Sequence, residues 1–255
     1  MEDIIFGGVS FAAMGFEVED LSGFYNLPPK RGDDPVVPLR EGRISVPKFY
    51  DQRILSVGLW LAEENRTDFM ALVDQLKVVL AGGAKTLVKV MPDGTQRIAS
   101  AEVLSRLDAK RIGVAGARMV VDFAMADPFF YAPSQVEITA LADDDPKEFP
   151  ITNPGTAPSR KAVIVFENGL ESPKLTNTIN GVWVQYLGTV GAEETVEIDC
   201  GAFTALWGEL SVISSVSHDG DPAFMLLEAG ENAMSFEPGM NVGGSLTVRF
   251  YPPYL

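Results

Sequence analysis

Few residues in this chain are of the types that do chemistry. It holds one histidine, His218, and one cysteine, Cys200. A Ser–His–Asp triad would have to use His218, and no Gly-x-Ser-x-Gly elbow is there to present a nucleophile. Asp219-Gly220-Asp221 follows His218, but a calcium loop needs further acids and a terminal Glu, so the segment reads as a Gly-centred turn between strands. Gly82-Gly83-Ala84-Lys85-Thr86 has some features of a phosphate loop. Ala84 interrupts its Gly-Lys-Thr core, and it follows a helix instead of preceding one, so no helix N-terminus would face the anion; a helix C-cap is the better account. Asn65-Arg66-Thr67 matches a glycosylation sequon and is more simply a helix start. Carboxylates are plentiful enough for a glycosidase pair, yet nothing singles out any two of them. The expectation is a protein that is not an enzyme, with no catalytic, cofactor-binding or metal-binding residues.

Three aromatics remain as binding candidates. Trp183, Tyr186 and Trp207 fall in expected strands of the second half. On the wet face of a sheet they would stack on sugar rings; the competing reading places them in the core, where large aromatics usually go.

The elements that must position these residues differ between the two halves. In the first, Phe69, Leu72, Val73, Leu76, Val79 and Leu80 form one apolar stripe at helical spacing, which predicts an amphipathic helix at about 66–81. Asn65 or Thr67 can cap its start, and Gly82-Gly83 its end. Strands are expected around it: a strand, turn and strand within 4–18, then 42–49, 53–61, 86–91, 97–107 and 113–124, with Pro92-Asp93-Gly94 as a hairpin turn. Residues 22–38, with four prolines and two glycines, read as a long exposed loop.

The run Asp143-Asp144-Asp145 reads as part of a solvated linker, since adjacent carboxylates repel, although it could also hold a weak cation. After it, strands are expected near 161–167, 174–179, 182–187, 194–200, 205–213, 223–228 and 245–251, without a helix. Val196, Ile198 and Cys200 alternate with Thr195, Glu197 and Asp199, as in an antiparallel sandwich with one wet face. The fold class is thus mainly β: a β-barrel-like N-terminal domain with one helix over 1–132, a linker over 133–150, and a C-terminal antiparallel β-sandwich over 151–255.

At 255 residues and 46% hydrophobic content the chain is globular, with room for two domains. No apolar run is long enough to span a membrane, and the acidic start does not resemble a secretory signal. A single Cys permits no internal disulfide, which suits synthesis in a reducing cytoplasm. The formal charge is −15, with −6 through Lys147 and −9 from Glu148 on. Such a surface repels phosphate backbones and excludes sequence-specific nucleic-acid binding.

Several segments, taken in order, resemble the distal tail proteins of long, non-contractile-tailed bacteriophages. They are Gly42-Arg43-Ile44, Tyr50-Asp51-Gln52-Arg53, the helix ending Ala81-Gly82-Gly83, and Val120-Val121-Asp122-Phe123 running on to Asp127-Pro128-Phe129-Phe130-Tyr131. Asn153-Pro154-Gly155, Asn177-Thr178-Ile179-Asn180-Gly181, Ile198-Asp199-Cys200-Gly201, Phe236-Glu237-Pro238-Gly239-Met240-Asn241 and the closing Arg249-Phe250-Tyr251-Pro252-Pro253-Tyr254-Leu255 continue the series. The resemblance implies a structural virion protein of the tail tip, made in the host bacterial cytoplasm. It implies a homo-hexameric ring formed by the first domain, joining the tail tube protein to the tip or tail-associated protein, with DNA passing through the lumen. It also implies a galectin-like or carbohydrate-module-like sandwich on the outside, able to carry receptor-binding proteins. The alternative from a different class is a carbohydrate-binding β-sandwich protein acting in host recognition through Trp183, Tyr186 or Trp207. This chain has no room for the large sugar-binding insertions of some relatives.

Overall fold

The computed structural model describes residues 3–39, 41–104, 107–219, 224–239 and 243–255. It is mainly β, and its helix is α1, Arg66–Leu80. The chain divides into two compact units, residues 1–130 with 255, and 131–254.

In the first unit the sheet follows hydrophobic alternation. Along Arg53–Ala62, Leu55, Val57, Leu59 and Leu61 are buried while the intervening residues are not. Gly116–Met125 pairs with it antiparallel over ten residues, Gly116 opposite Ala62 and Met125 opposite Arg53, and buries Ala117, Met119, Val121, Phe123 and Met125 on the same side. The strand order runs Val9–Ser10, Asp3–Phe6, Lys85–Val90, Gln96–Val103, Gly116–Met125, Arg53–Ala62, Glu17–Ser22. Asp3–Phe6 and Gly116–Met125 stand three strand spacings apart in this order, about 14 Å in a flat sheet. Yet the rings of Phe6 and Phe123 have centroids 4.9 Å apart. The sheet therefore curls over its own core, as the barrel-like expectation requires, while its pairing path among the described residues stays open at both ends.

Helix α1 forms where its stripe places it. Phe69, Val73, Leu76 and Leu80 are buried, whereas Leu72 and Val79 at the stripe's edge are half-buried. Asn65 accepts the Asp68 amide N–H at 3.0 Å, and Gly82 takes a left-handed φ of 102° just past the end. Lys85 adds what no spacing argument foresaw: its ammonium donates to the Val79 and Ala81 carbonyls at 2.7 and 2.6 Å, satisfying orphan acceptors at the helix C-terminus. The glycine-lysine run is thus part of a C-terminal cap.

In the second unit two antiparallel sheets face each other. One runs Val136–Leu141, Ser245–Phe250, Val163–Glu167, Thr195–Asp199, Thr204–Trp207, Leu210–Ser211; the other runs Lys147–Asn153, Gly230–Glu237, Lys174–Asn177, Trp183–Tyr186, Val216–His218. Phe166 of the first sheet and Phe236 of the second stack with centroids 6.2 Å apart, which marks the core between them.

Several sequence expectations need correction. Residues 133–150, expected as a linker, contribute two edge strands, Val136–Leu141 against Ser245–Phe250 and Lys147–Asn153 against Gly230–Glu237. Only the turn between them is the acidic run, and Lys147 offsets its repulsion by pairing with Asp143 at 2.7 Å and Asp144 at 3.7 Å. Residues 42–49 are not a strand beyond Phe49–Tyr50; Pro47 removes a ladder donor.

The expected strand at 223–228 begins at Ala223, outside the described residues, and Phe224–Leu227 are all buried without alternation. They thread across the core, with one bridge from Leu227 to Ser159. The strand lies instead at Gly230–Glu237, hidden in the sequence by its polar start. Its Asn232 is fully buried because its amide donates to the Glu228, Gly230 and Ile151 carbonyls and accepts from Asn177.

Candidate functional site

Five strands of the first unit share one outward face. Their register sets Glu17, Trp60, Arg118 and Lys110 in one row. The next holds Asp20, Gly58, Val120 and Asp108; the next Ser22, Ser56 and Asp122; the last Ile54, Ala124 and Glu102. Residues opposed in a ladder point the same way, so these side chains are coplanar neighbours. Glu19, at a bulge in the Glu17–Ser22 strand, joins them by pairing with Arg118 at 3.0 Å, and the Arg118 guanidinium lies 5.8 Å from the Trp60 ring centroid. The Ser56 hydroxyl donates to Asp122. The face carries Glu17, Glu19, Asp20, Glu102, Asp108 and Asp122 against Lys110 and Arg118, six carboxylates to two cations and a net of −4. Glu17, Glu19, Asp20, Glu102 and Asp108 are exposed, while Asp122 is half-buried.

The two margins of this layer differ in charge. Glu17–Ser22 closes the pairing path on one side, with Glu17, Glu19 and Asp20 exposed. On the other side Asp108–Ile112 pairs with Gly116–Val120, and all five of its residues are exposed, Lys110 and Arg111 among them. One margin carries three acids and no cation, the other a net +1 from Asp108, Lys110 and Arg111, and the strands between alternate in direction. Unpaired strand margins are templates for pairing with another chain.

Beside this layer, residues 29–52 form an arm. Lys30–Arg31 pairs with Phe49–Tyr50, Val36 bridges Arg43, and the Asp34 carboxylate accepts the Val46 amide at 3.2 Å and the Lys48 ammonium at 3.0 Å. These bonds hold the Asp34 carboxyl below the usual carboxylate range, the Lys48 hydrogen bond most of all. None of the arm's described residues is buried, and Val36, Leu39, Ile44 and Phe49 expose more than half their surface.

The aromatics proposed to stack on sugars are not gathered into one site. Tyr186 is 5% exposed and belongs to the sandwich core, so its ring offers no free face. Trp183 is half-buried under the Lys174 ammonium, 5.6 Å from its ring centroid. Trp207 lies in the other sheet, 39% exposed, opposite the exposed Leu210. Cys200 is buried, and burial first, then the neighbouring Asp199 charge, pushes its thiol up to about 12. His218 packs against Phe224 with centroids 5.1 Å apart; Gly220 and Asp221 lie outside the described residues. Among the described residues no three His, Cys, Asp or Glu side chains cluster as metal ligands, and no helix is long and apolar enough to cross a membrane.

Sequence reasoning missed the two-faced layer and its charged margins. The alternation within 53–62 and 116–125 was legible, but the row joins the Lys110–Arg118 hairpin to Trp60 and Glu17, on strands tens of residues away.

A curled, open-edged sheet in one unit and a two-sheet sandwich in the other define a two-unit, mainly antiparallel β protein. Among solved structures, its fold is similar to that of the Dit protein of phage SPP1, described as a paradigm of the hub adsorption apparatus in phages infecting Gram-positive bacteria; the TM-score is 0.73 at 11% identity, over 98% of this chain and 99% of that one. A chain of the phage P2 baseplate in its activated, calcium-bound conformation also aligns, with a TM-score of 0.41 at 8% identity over 98% of both chains. No family model matches the sequence, and no curated protein matches it. The likeness to SPP1 Dit is one of fold and runs the length of both chains.

Proposed function

We propose that this chain is a structural, non-enzymatic subunit of a phage tail hub. Six copies close into a ring through the first unit at the distal end of the tail, between the tube protein and the tip or tail-associated protein. The second unit serves as a site for receptor-binding proteins. The observation that carries this reading is the pair of oppositely charged, open margins on one β layer. A head-to-tail contact of the acidic margin with the basic margin of the next copy is heterologous, and heterologous contacts that close make rings. Because the strands alternate in direction, joining Glu17–Ser22 to the next copy's Asp108–Ile112 continues the antiparallel order.

If the joined layer lines the lumen, its face charge of −4 per copy repels the phosphate backbone, so DNA slides through without adhering. The arm, with its exposed Val36, Leu39 and Ile44, is suited to grip an adjacent subunit. Native mass measurement and negative-stain imaging, with and without the tube and tip proteins, test the reading. Six-fold rings are expected; a chain that stays monomeric in every mixture refutes it.

A second reading keeps sugar binding, narrowed to the partly exposed Trp207 and the cation-covered Trp183. A glycan array in which binding is lost in Trp207→Ala, with the fold intact, would favour it.

A further inference from the structure

Arg53 opens the Arg53–Ala62 strand at the foot of the arm, and it is 1% exposed. Its Nη2 donates to the Asn26 carbonyl at 3.2 Å, and its guanidinium lies over Phe130, 5.3 Å from the ring centroid. Nε and Nη1 have no hydrogen-bond partner among the described residues. Burial lowers the pKa of this side chain from its ordinary value, against a smaller opposing effect from Tyr50, so the interior disfavours the charge it carries. An arginine stays protonated all the same, and a buried cation with idle donors is a standing cost until an anion meets it.

Arg53 also lines a cavity of about 410 Å³, together with residues 22–23, 26–29, 51–52 and 54. Asp51 is the carboxylate among these, exposed and turned so that its Oδ1 accepts the Gln52 amide at 2.8 Å. The cavity's outer wall is the root of the arm. No described residue from 29 to 52 is itself buried, so shifting that root takes none of the arm's own described residues out of the core.

We propose that Arg53 is a receptor for a carboxylate side chain of a second copy of this chain, admitted when the arm's root shifts as copies dock. The planar guanidinium matches a carboxylate in shape and charge. The chain has 35 acidic against 20 basic residues, so a docking copy brings carboxylates in excess of their cations. This proposal rests on the ring reading and adds an ion pair that only assembly completes.

The test compares wild type, Arg53→Met and Arg53→Lys as full-length chains. Sodium malonate, at ionic strength matched with sodium chloride, is expected to raise the wild-type Tm by about 3 °C and the Arg53→Met Tm not at all. Self-association of Arg53→Met is expected to weaken at least ~10-fold, because the partner's carboxylate loses its cation. Arg53→Lys falls between, and carries the comparison if Arg53→Met does not fold. The same malonate shift in wild type and variant, or none in either, overturns the site. A shift confined to wild type with unaltered variant assembly means the site takes free carboxylates only, which overturns the second copy as occupant. Rings of Arg53→Met forming at wild-type concentration leave the ring reading standing; a wild type that never associates removes both.

Discussion

Reversing the basic margin of the sheet tests the proposed assembly most directly. Lys110 and Arg111 are exposed on the Asp108–Ile112 strand, and Glu17 and Asp20 are exposed on the opposite margin. Lys110 shares the outward face with Glu17 and Asp20, while Arg111, opposite Ala117, points to the other face, so Lys110→Glu with Arg111→Glu turns one facing attraction into a repulsion and takes the strand from a net +1 to a net −3. Each exposed pair is worth roughly 0.2–1 kcal/mol, and exchanging an attraction for a repulsion of like size doubles it, so the change costs about 0.4–2 kcal/mol per junction. A six-membered ring has six junctions but loses the free motion of only five added copies, so the cost felt by concentration is about 6/5 of that. At tenfold per 1.4 kcal/mol, the concentration for half assembly rises about 2- to 50-fold. Every residue of the strand is exposed, so the variant keeps its fold; the Arg111 bonds to the Gly113 and Val114 carbonyls are a surface loss within about 0.5 kcal/mol.

Sedimentation velocity or mass photometry across a dilution series reads the shift, and raising the salt should shrink it. Adding Glu17→Lys with Asp20→Lys to the reversed chain should restore assembly, since both margins are then exchanged. Folded variants that assemble at the wild-type concentration, or a fourfold variant no better than the reversed pair, would refute the edge-to-edge contact.

Leu76→Ala, at a fully buried position of α1, should destabilise the first unit by about 2–5 kcal/mol, read as a lower denaturant midpoint. Asn65→Ala removes the cap on the Asp68 amide and should cost about 1 kcal/mol, with faster hydrogen exchange confined to the first turn of α1. Cys200 should resist thiol reagents at pH 8 in the folded protein and react at once in denaturant, because its thiol is held protonated up to about 12. The same shift makes its contribution to stability complete below the thiol's ordinary value of 9 and lost as pH rises from 9 towards 12, so alkaline denaturation midpoints should fall less steeply in Cys200→Ala.

Helix α1 was legible to within a residue, because a stripe from Phe69 to Leu80 at helical spacing has one way to bury itself and Asn65 and Gly82 mark its ends. The Arg53–Ala62 strand was legible for the same reason with a period of two. The segment 133–150 was not. Its three adjacent aspartates dominate a local reading, while the ladder bonds to Ser245–Phe250 and Gly230–Glu237 that make its flanks strands are formed with residues about a hundred positions away. Tyr186 and Trp207 show the same limit, since alternation assigns side chains to two faces but does not say which face another sheet covers.

The amino-acid order alone determined a mainly β chain with one helix, an acidic balance, and too few reactive side chains for most catalytic centres. Folding decided the rest. It chose which strands became neighbours, and so which charges share a face. It left one margin acidic and the other with a net +1, and it enclosed Arg53 away from water with two of its nitrogens unpartnered among the described residues. Periodicity is a property of neighbours along the chain, whereas a surface or a buried cation is created by residues that meet only when distant strands exchange hydrogen bonds.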